Sequence, residues 1–109
     1  MIAGAEVQTP IKVALVGMDE RSTARMATIF KIVFKGRCEF AQGDDANLGI
    51  IDLDGEANIW EKFLRLHPSL PAIVMSETPT ELEGATYVAK HAKLDLLWDS
   101  ILHLMIGLP

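Results

Sequence analysis

The chain alternates short apolar segments with longer segments of helical periodicity, and this alternation restricts the possible folds more than any other feature. Short segments, most of them rich in valine, isoleucine and alanine, are typical of buried strands. They span residues 11–17, 37–41, 48–53, 72–75 and 85–89. Helical periodicity with one apolar side covers residues 19–34, 58–67 and 93–106. Strands that alternate with helices predict a parallel sheet with helices on both faces.

Two connections in this pattern leave little room for a helix. Residues 42–47 (QGDDAN) have the composition of a turn. Residues 78–81 (TPTE) match a capping box with proline at the first helical position, which predicts a brief helix that Gly84 would close. We therefore expect a second helix that is nearly missing and a fourth helix shortened to about two turns.

Composition and charge exclude several classes of protein. The 109 residues accommodate a single hydrophobic core, which we place at residues 11–109 after a flexible N-terminal lead at residues 1–10. The single Cys38, expected in a buried strand, excludes an internal disulfide framework. No segment approaches the roughly 20 apolar residues of a membrane span. The net charge of −5 argues against nucleic-acid binding. Because the chain has neither a disulfide framework nor a membrane span, we expect a cytoplasmic protein with no direct nucleic-acid or membrane partner.

Polar side chains occur where three of the predicted strands end. Asp52 ends the third strand, and Ser76 follows the fourth. Tyr87 lies within the fifth strand and Lys90 follows it. Because the carboxyl ends of parallel strands meet at one edge of a sheet, we expect these side chains to converge there. The lysine can pair with the carboxylate or with an anion attached to it, and the hydroxyl can hydrogen-bond the same anion.

The segments around these residues resemble the receiver domains of bacterial two-component response regulators. The matching segments are LGIIDLDG around Asp52, LPAIVMSE around Ser76 and ATYVAKH around Lys90. The resemblance implies a flavodoxin-like (CheY-like) three-layer α/β sandwich around a five-stranded parallel sheet. It implies that Asp52 accepts a phosphoryl group from a histidine kinase and that Ser76 and Lys90 bind the phosphoryl oxygens. It also implies that Tyr87 is the aromatic residue that switches rotamer.

The chain departs from the receiver pattern where a metal ion would bind. Receivers carry an acidic pair directly after the first strand, whereas these positions are Gly17 and Met18 here. Mg²⁺ needs hard oxygen ligands, and phosphoryl transfer needs the ion to neutralise developing charge. We therefore expect no firmly bound cofactor, at most a weak Mg²⁺ site, and weak or absent phosphorylation. The candidate ligands are Asp19, Glu20, Asp52 and Asp54.

Two surfaces have the composition of interfaces. The apolar arc of residues 93–106 is wider than the roughly 100° that a surface helix needs, because Leu96, Leu102 and Ile106 lie outside its core-facing stripe. We expect these residues to form a homodimer or to contact a downstream output domain, with the chain then being the N-terminal module of a longer protein. The basic face that carries Arg21 and Arg25 is expected to dock an acidic surface of a histidine kinase or phosphotransfer protein.

Three functional hypotheses follow. The first is an atypical receiver (a pseudo-receiver), a signalling module that acts through protein–protein interaction or dimerisation and in which Asp52 can simply form an ion pair with Lys90. The second is a phosphorylatable receiver that accepts phosphate on Asp52. The third is a small-ligand sensor, since Arg21 and Arg25 also resemble the RxxxR element of cyclic-di-GMP-binding PilZ domains, whose companion segment is absent here. We do not expect an enzyme, because no nucleophile–base pair is visible.

Overall fold

The computed structural model describes residues 10–106 and contains a five-stranded sheet in which every strand pair is parallel. The strands are β1 (Ile11–Val16), β2 (Cys38–Phe40), β3 (Leu48–Asp52), β4 (Ala72–Ser76) and β5 (Ala85–Ala89). Their order across the sheet is β2-β1-β3-β4-β5. The predicted α/β class and parallel sheet are confirmed, and the strand order is compatible with a flavodoxin-like fold.

Within the described residues, three α-helices pack on this sheet. They are α1 (Glu20–Thr28), α2 (Ile59–Leu66) and α3 (Leu94–Ile106). The first turn of a helix leaves backbone N–H groups without partners, and Asp19 supplies one partner for α1 by accepting the N–H of Ser22 at 2.8 Å. The helices predicted over 58–67 and 93–106 agree with α2 and α3 to within one residue at each end.

The helix predicted over residues 19–34 is not one regular helix. A π-helical turn at Ile29–Val33 follows α1, and the N–H of Phe34 donates to the carbonyl of Ile29 at 2.9 Å. A π turn adds one residue to a helical turn and so shifts the side chains that follow. As a result Phe34 is buried while Val33 is 42% exposed. A constant helical period over residues 19–34 places both residues on the apolar side. This prediction is wrong for Val33, because the π turn interrupts the period.

The two faces of the sheet carry different numbers of helices. Residues of α1, the π-helical turn and α3 cover one face, here called the two-helix face, whereas α2 covers the other, the one-helix face. Successive strand residues point to opposite faces, so Ile50 packs in the two-helix core and Ile51 in the one-helix core. Trp60, which lies on the apolar side of the helix predicted over residues 58–67, is buried on the one-helix face beside Phe63. Cys38 is buried on the two-helix face, as predicted.

Two of the connections between parallel strands contain no α-helix. Only a short 3₁₀ turn, Gly43–Asp45, separates β2 from β3. The brief helix predicted from the capping box between β4 and β5 is wrong, since residues 77–84 form no helix. A helical crossover between parallel strands takes a dozen or more residues, and the hydroxyls of Ser76 and Thr80 make local hydrogen bonds to the backbone of Thr78 instead.

The predicted lead lies outside the described residues except for Pro10, and so do the last three residues of the predicted 11–109 domain. Within residues 10–106, no helix combines the length and the apolar character that crossing a membrane requires.

Candidate functional site

Three strand ends bring Asp52, Ser76 and Lys90 to the carboxyl edge of the sheet. Parallel pairing sets Asp52 opposite Met75 in β4 and Ser76 opposite Ala89 in β5. The backbone N–H of Lys90 also donates to the carbonyl of Ser76 at 3.3 Å. Residues separated by up to 38 positions in the sequence therefore share one small region, here called the edge site.

Lys90 is the positive charge of the edge site. Its Nζ lies 2.8 Å from Asp52 Oδ1 and 2.8 Å from Asp54 Oδ2. Partial burial works against the charged amine, but the hydrogen bonds to Asp52 and Asp54 outweigh that effect and raise the pKa of Lys90 above its ordinary value. The Lys90 ammonium group thus makes a charge-assisted hydrogen bond to each of two carboxylates, those of Asp52 and Asp54.

Asp54 makes more contacts in the edge site than the sequence indicated. Its Oδ1 accepts the Ser76 hydroxyl at 3.0 Å, and its Oδ2 accepts the backbone N–H of Glu77 at 2.9 Å. Its own backbone N–H donates to Asp52 Oδ1 at 2.9 Å. The hydrogen bond from Lys90, followed by that from the Glu77 N–H, lowers the pKa of the Asp54 carboxyl. Sequence reasoning named Asp54 only as a weak metal ligand; the available signal was its place two residues after Asp52.

The loop after β1 approaches the edge site too closely to carry a side chain at its first position. Gly17 has a positive φ of 78°, and a Cβ there would lie 2.8 Å from the carbonyl oxygen of Asp52. Glycine adopts this backbone conformation without steric cost. The next residue, Met18, packs against the core of the two-helix face. The two positions where receivers carry acidic residues therefore hold a glycine in a tight contact and a core methionine.

The four candidate metal ligands do not form one group that could hold a metal ion. Asp19 lies at the rim of a depression that Asp52, Asp54 and Lys90 also line, and its carboxylate is occupied in capping α1. Capping by the Ser22 N–H lowers the pKa of Asp19. Within residues 10–106, no three His, Cys, Asp or Glu side chains are grouped so that they could hold a metal ion. The weak Mg²⁺ site stays a prediction.

A cavity of about 170 Å³ lies beside the edge site, between α1, the end of β5 and the start of α3. Its walls are largely apolar and include Met18, Met26 and Leu97. Arg25 lines this cavity together with Lys90, whereas Arg21 does not. The two arginines of the predicted basic face are both exposed, and only Arg25 reaches the neighbourhood of the edge site.

Tyr87 is connected to the edge site through its hydroxyl. The Tyr87 O–H donates to the carbonyl of Ser76 at 3.1 Å. Its side chain packs against the core of the one-helix face and lines a surface depression together with Leu82 and Ala85. In the present arrangement Tyr87 therefore ties β5 to the end of β4. The rotamer switch that the resemblance implies stays a prediction.

The residues predicted as an interface on the last helix differ in exposure. Leu96 and Ile106 are 51% and 59% exposed, whereas Leu102 is partly buried. Leu97 and Ile101 point into the two-helix core. The helix thus has the buried stripe that the sequence predicted, with two large apolar side chains left in solvent.

Comparison of the chain with protein-family models, with curated proteins and with solved structures finds no match. The chemistry of this protein is therefore inferred from the geometry of the edge site and of the surfaces around it.

Proposed function

We propose that this chain is an atypical receiver, or pseudo-receiver, which signals through protein–protein contacts with weak or no phosphorylation of Asp52. The observation that carries the proposal is the pairing of Lys90 with Asp52 at the carboxyl edge of a β2-β1-β3-β4-β5 sheet, beside Ser76. A carboxylate, a hydroxyl and a lysine occur there in the order that the resemblance requires. The CheY-like form of the fold and a cytoplasmic location are part of the same proposal.

Weak phosphorylation is supported by the surroundings of Asp52. An aspartate accepts a phosphoryl group efficiently when a divalent ion neutralises the developing charge. The close approach of Gly17 to the Asp52 carbonyl leaves no space for a metal-binding side chain at that position. Asp52 Oδ1 already accepts hydrogen bonds from Lys90 and from the Asp54 N–H.

Action through contacts with other proteins is supported by the exposed side chains of α3. Leu96 and Ile106 are large apolar groups in solvent on a small domain, and such groups often belong to interfaces. The partner in this proposal is a second copy of the chain or an output domain. The exposed Arg21 and Arg25 offer a separate basic surface for a histidine kinase or phosphotransfer protein.

The phosphorylation part is tested by intact mass after incubation with acetyl phosphate and Mg²⁺. In that reaction the phosphoryl group would pass to a carboxylate oxygen of Asp52 and release acetate. We expect no adduct or a trace, with the Asp52→Asn variant as control. A substantial adduct on the wild type that the control lacks would instead favour a phosphorylatable receiver, with Asp19 or Glu20 assisting the metal.

The interaction part is tested by sedimentation over a range of protein concentrations. We expect a concentration-dependent dimer that Ile106→Glu weakens, because a charge would be buried in an apolar interface. His103→Glu is the matched control, since it introduces the same charge at an exposed position of α3. A monomer at every concentration would exclude the homodimer and leave the output domain as partner.

The small-ligand alternative is favoured by the cavity beside Arg25 and Lys90. It predicts that a cyclic dinucleotide raises the melting temperature of the wild type and that Arg25→Ala abolishes the shift. An unchanged melting temperature with the wild type would remove this alternative.

A further inference from the structure

The Asp54 carboxylate lies among three hydrogen-bond donors that belong to other parts of the chain. They are the Ser76 hydroxyl at 3.0 Å, the Glu77 N–H at 2.9 Å and the Lys90 ammonium at 2.8 Å. We propose that Asp54 is a built-in occupant of these donors which keeps free oxyanions out; the inference rests on the proposed function, which already assigns Ser76 and Lys90 to the binding of phosphoryl oxygens. The ligand class of the site is a tetrahedral oxyanion, such as inorganic phosphate or sulfate.

The donor set is that of an oxyanion site. A hydroxyl, a backbone N–H and an ammonium group aimed at one point are the groups that proteins use to hold phosphate and carboxylate. Both oxygens of Asp54 are engaged, Oδ1 by Ser76 and Oδ2 by Glu77 and Lys90. The carboxylate is therefore held as a bound anion would be held.

Ser76 is oriented so that its proton faces Asp54. The side chain is buried, and its Oγ accepts the backbone N–H of Thr78 at 3.1 Å. A serine hydroxyl has one proton, so with a lone pair engaged by Thr78 its proton is free to donate to Asp54. The lone pair is engaged by the turn after β4, which is a different part of the chain from the loop that carries Asp54.

The site is separate from its occupant. Ser76 and Glu77 lie at the end of β4 and Lys90 lies after β5, whereas Asp54 comes from the loop between β3 and α2. Removal of the Asp54 side chain would leave the Ser76 hydroxyl and the Glu77 N–H without this acceptor, which is unfavourable for the buried hydroxyl. A free oxyanion can satisfy the same donors.

The loop holds Asp54 in place, which explains why the wild type would exclude free anions. The Asp54 N–H donates to Asp52 Oδ1, and a Cβ at Gly55 would lie 2.9 Å from the Gly17 carbonyl oxygen. A carboxylate held this closely has an effective concentration far above that of a dissolved ion. The wild-type site is thereby occupied without phosphorylation.

The test is titration of Asp54→Ala with inorganic phosphate and with sulfate at constant ionic strength. Binding is followed by the amide NMR shifts of residues 76–78 and 90. We expect saturable binding that is at least about ten-fold tighter than to the wild type, a factor that corresponds to the loss of one internal competitor. Glu83→Ala is the matched control, because it removes an equal charge from an exposed position of the loop between β4 and β5.

Two further variants test whether Lys90 is required and allow for an Asp54→Ala protein that does not fold. Adding Lys90→Gln to Asp54→Ala should abolish the binding, since it removes the charged donor. If Asp54→Ala does not fold, Asp54→Asn takes its place, with a smaller gain expected because the amide still fills the site. The proposal is overturned if the folded Asp54 variant binds phosphate no more tightly than wild type and Glu83→Ala, or if binding persists without Lys90.

The two proposals can fail independently. Phosphate binding to Asp54→Ala is reversible and adds no mass to the denatured protein, whereas acetyl phosphate would leave a covalent adduct on Asp52. Absence of phosphate binding would leave the pseudo-receiver proposal in place. An adduct on wild-type Asp52 would contradict weak phosphorylation without excluding an oxyanion site that Asp54 normally fills.

Discussion

The two-helix face and the one-helix face of the sheet are stabilised in different ways. Among residues 10–106, twelve buried residues form one core on the two-helix face, most of them from the strands, α1, the π-helical turn and α3. On the one-helix face the corresponding core has six, and the connection between β4 and β5 is a loop. Asp54 holds the start of that loop through Ser76 and Glu77. The loop between β4 and β5 is thus held by polar contacts of the edge site. A helix in this connection would instead be held by apolar packing on the sheet.

The largest effect is expected from a cavity in the core of the two-helix face. Ile101→Ala should lower the free energy of unfolding by about 3 kcal/mol, since the side chain is fully buried and its neighbours can collapse only in part. Urea denaturation at low protein concentration measures the change. Leu96→Ala on the same helix is the control and should cost about 0.5 kcal/mol or less. Equal costs would mean that α3 does not contribute to the core as described.

The one-helix face depends on one close contact. A Cβ at Gly49 would lie 2.7 Å from Cε1 of Phe63, the residue through which α2 packs on β3. Gly49→Ala should therefore cost about 2 kcal/mol through overpacking. In a Phe63→Leu background the same change should cost clearly less, because the ring atoms are gone. An unchanged cost in that background would contradict this account of how α2 is seated.

A smaller effect is expected where Tyr87 joins β5 to the end of β4. Tyr87→Phe removes one neutral hydrogen bond and should cost about 1 kcal/mol or less. The Ser76 carbonyl still accepts the Lys90 N–H, so no buried acceptor is left alone. Hydrogen exchange should speed up at residues 77–84 and stay unchanged in α1. Faster hydrogen exchange in α1 as well as in residues 77–84 would show that the Tyr87 hydrogen bond does not act on this loop alone.

The smallest effect is the dependence of stability on pH through the edge site. The pKa of Asp54 is lowered from its ordinary value of 3.8, so its contribution is present above that value and is lost as the pH falls through the folded pKa. The pKa of Lys90 is raised from 10.5, so its contribution is present below 10.5 and is lost at higher pH. Because these groups are partly exposed, we expect less than about 1 kcal/mol.

Urea midpoints at several pH values measure this dependence. The difference between wild type and Asp54→Asn should shrink between about pH 5 and pH 2. Asp44→Asn, at an exposed position of the 3₁₀ turn, is the control and should track the wild type. If the difference in urea midpoint between wild type and Asp54→Asn stays constant as the pH falls, the charge of Asp54 does not contribute to stability through the edge site.

Much of the framework could be predicted because it depends on neighbours along the chain. Alternating strands and helices predict a parallel sheet, and parallel strands bring Asp52, Ser76 and Lys90 to one edge whatever the details of the loops. The same local reasoning failed at Val33 and at residues 78–84. A helical period cannot reveal an inserted π turn, and a capping box cannot form a helix where the connection is too short.

Local sequence patterns specify the strands, three helices and the polar residues at the strand ends, since periodicity and turn composition act over a few neighbouring residues. Local patterns do not specify that Asp54 pairs with Lys90 beside Asp52 and accepts hydrogen bonds from Ser76 and Glu77; these contacts form only in the assembled fold. The contacts with Ser76 and Glu77 join residues 22 and 23 positions apart. They depend on how closely two loops approach after the sheet has assembled, which no local pattern specifies.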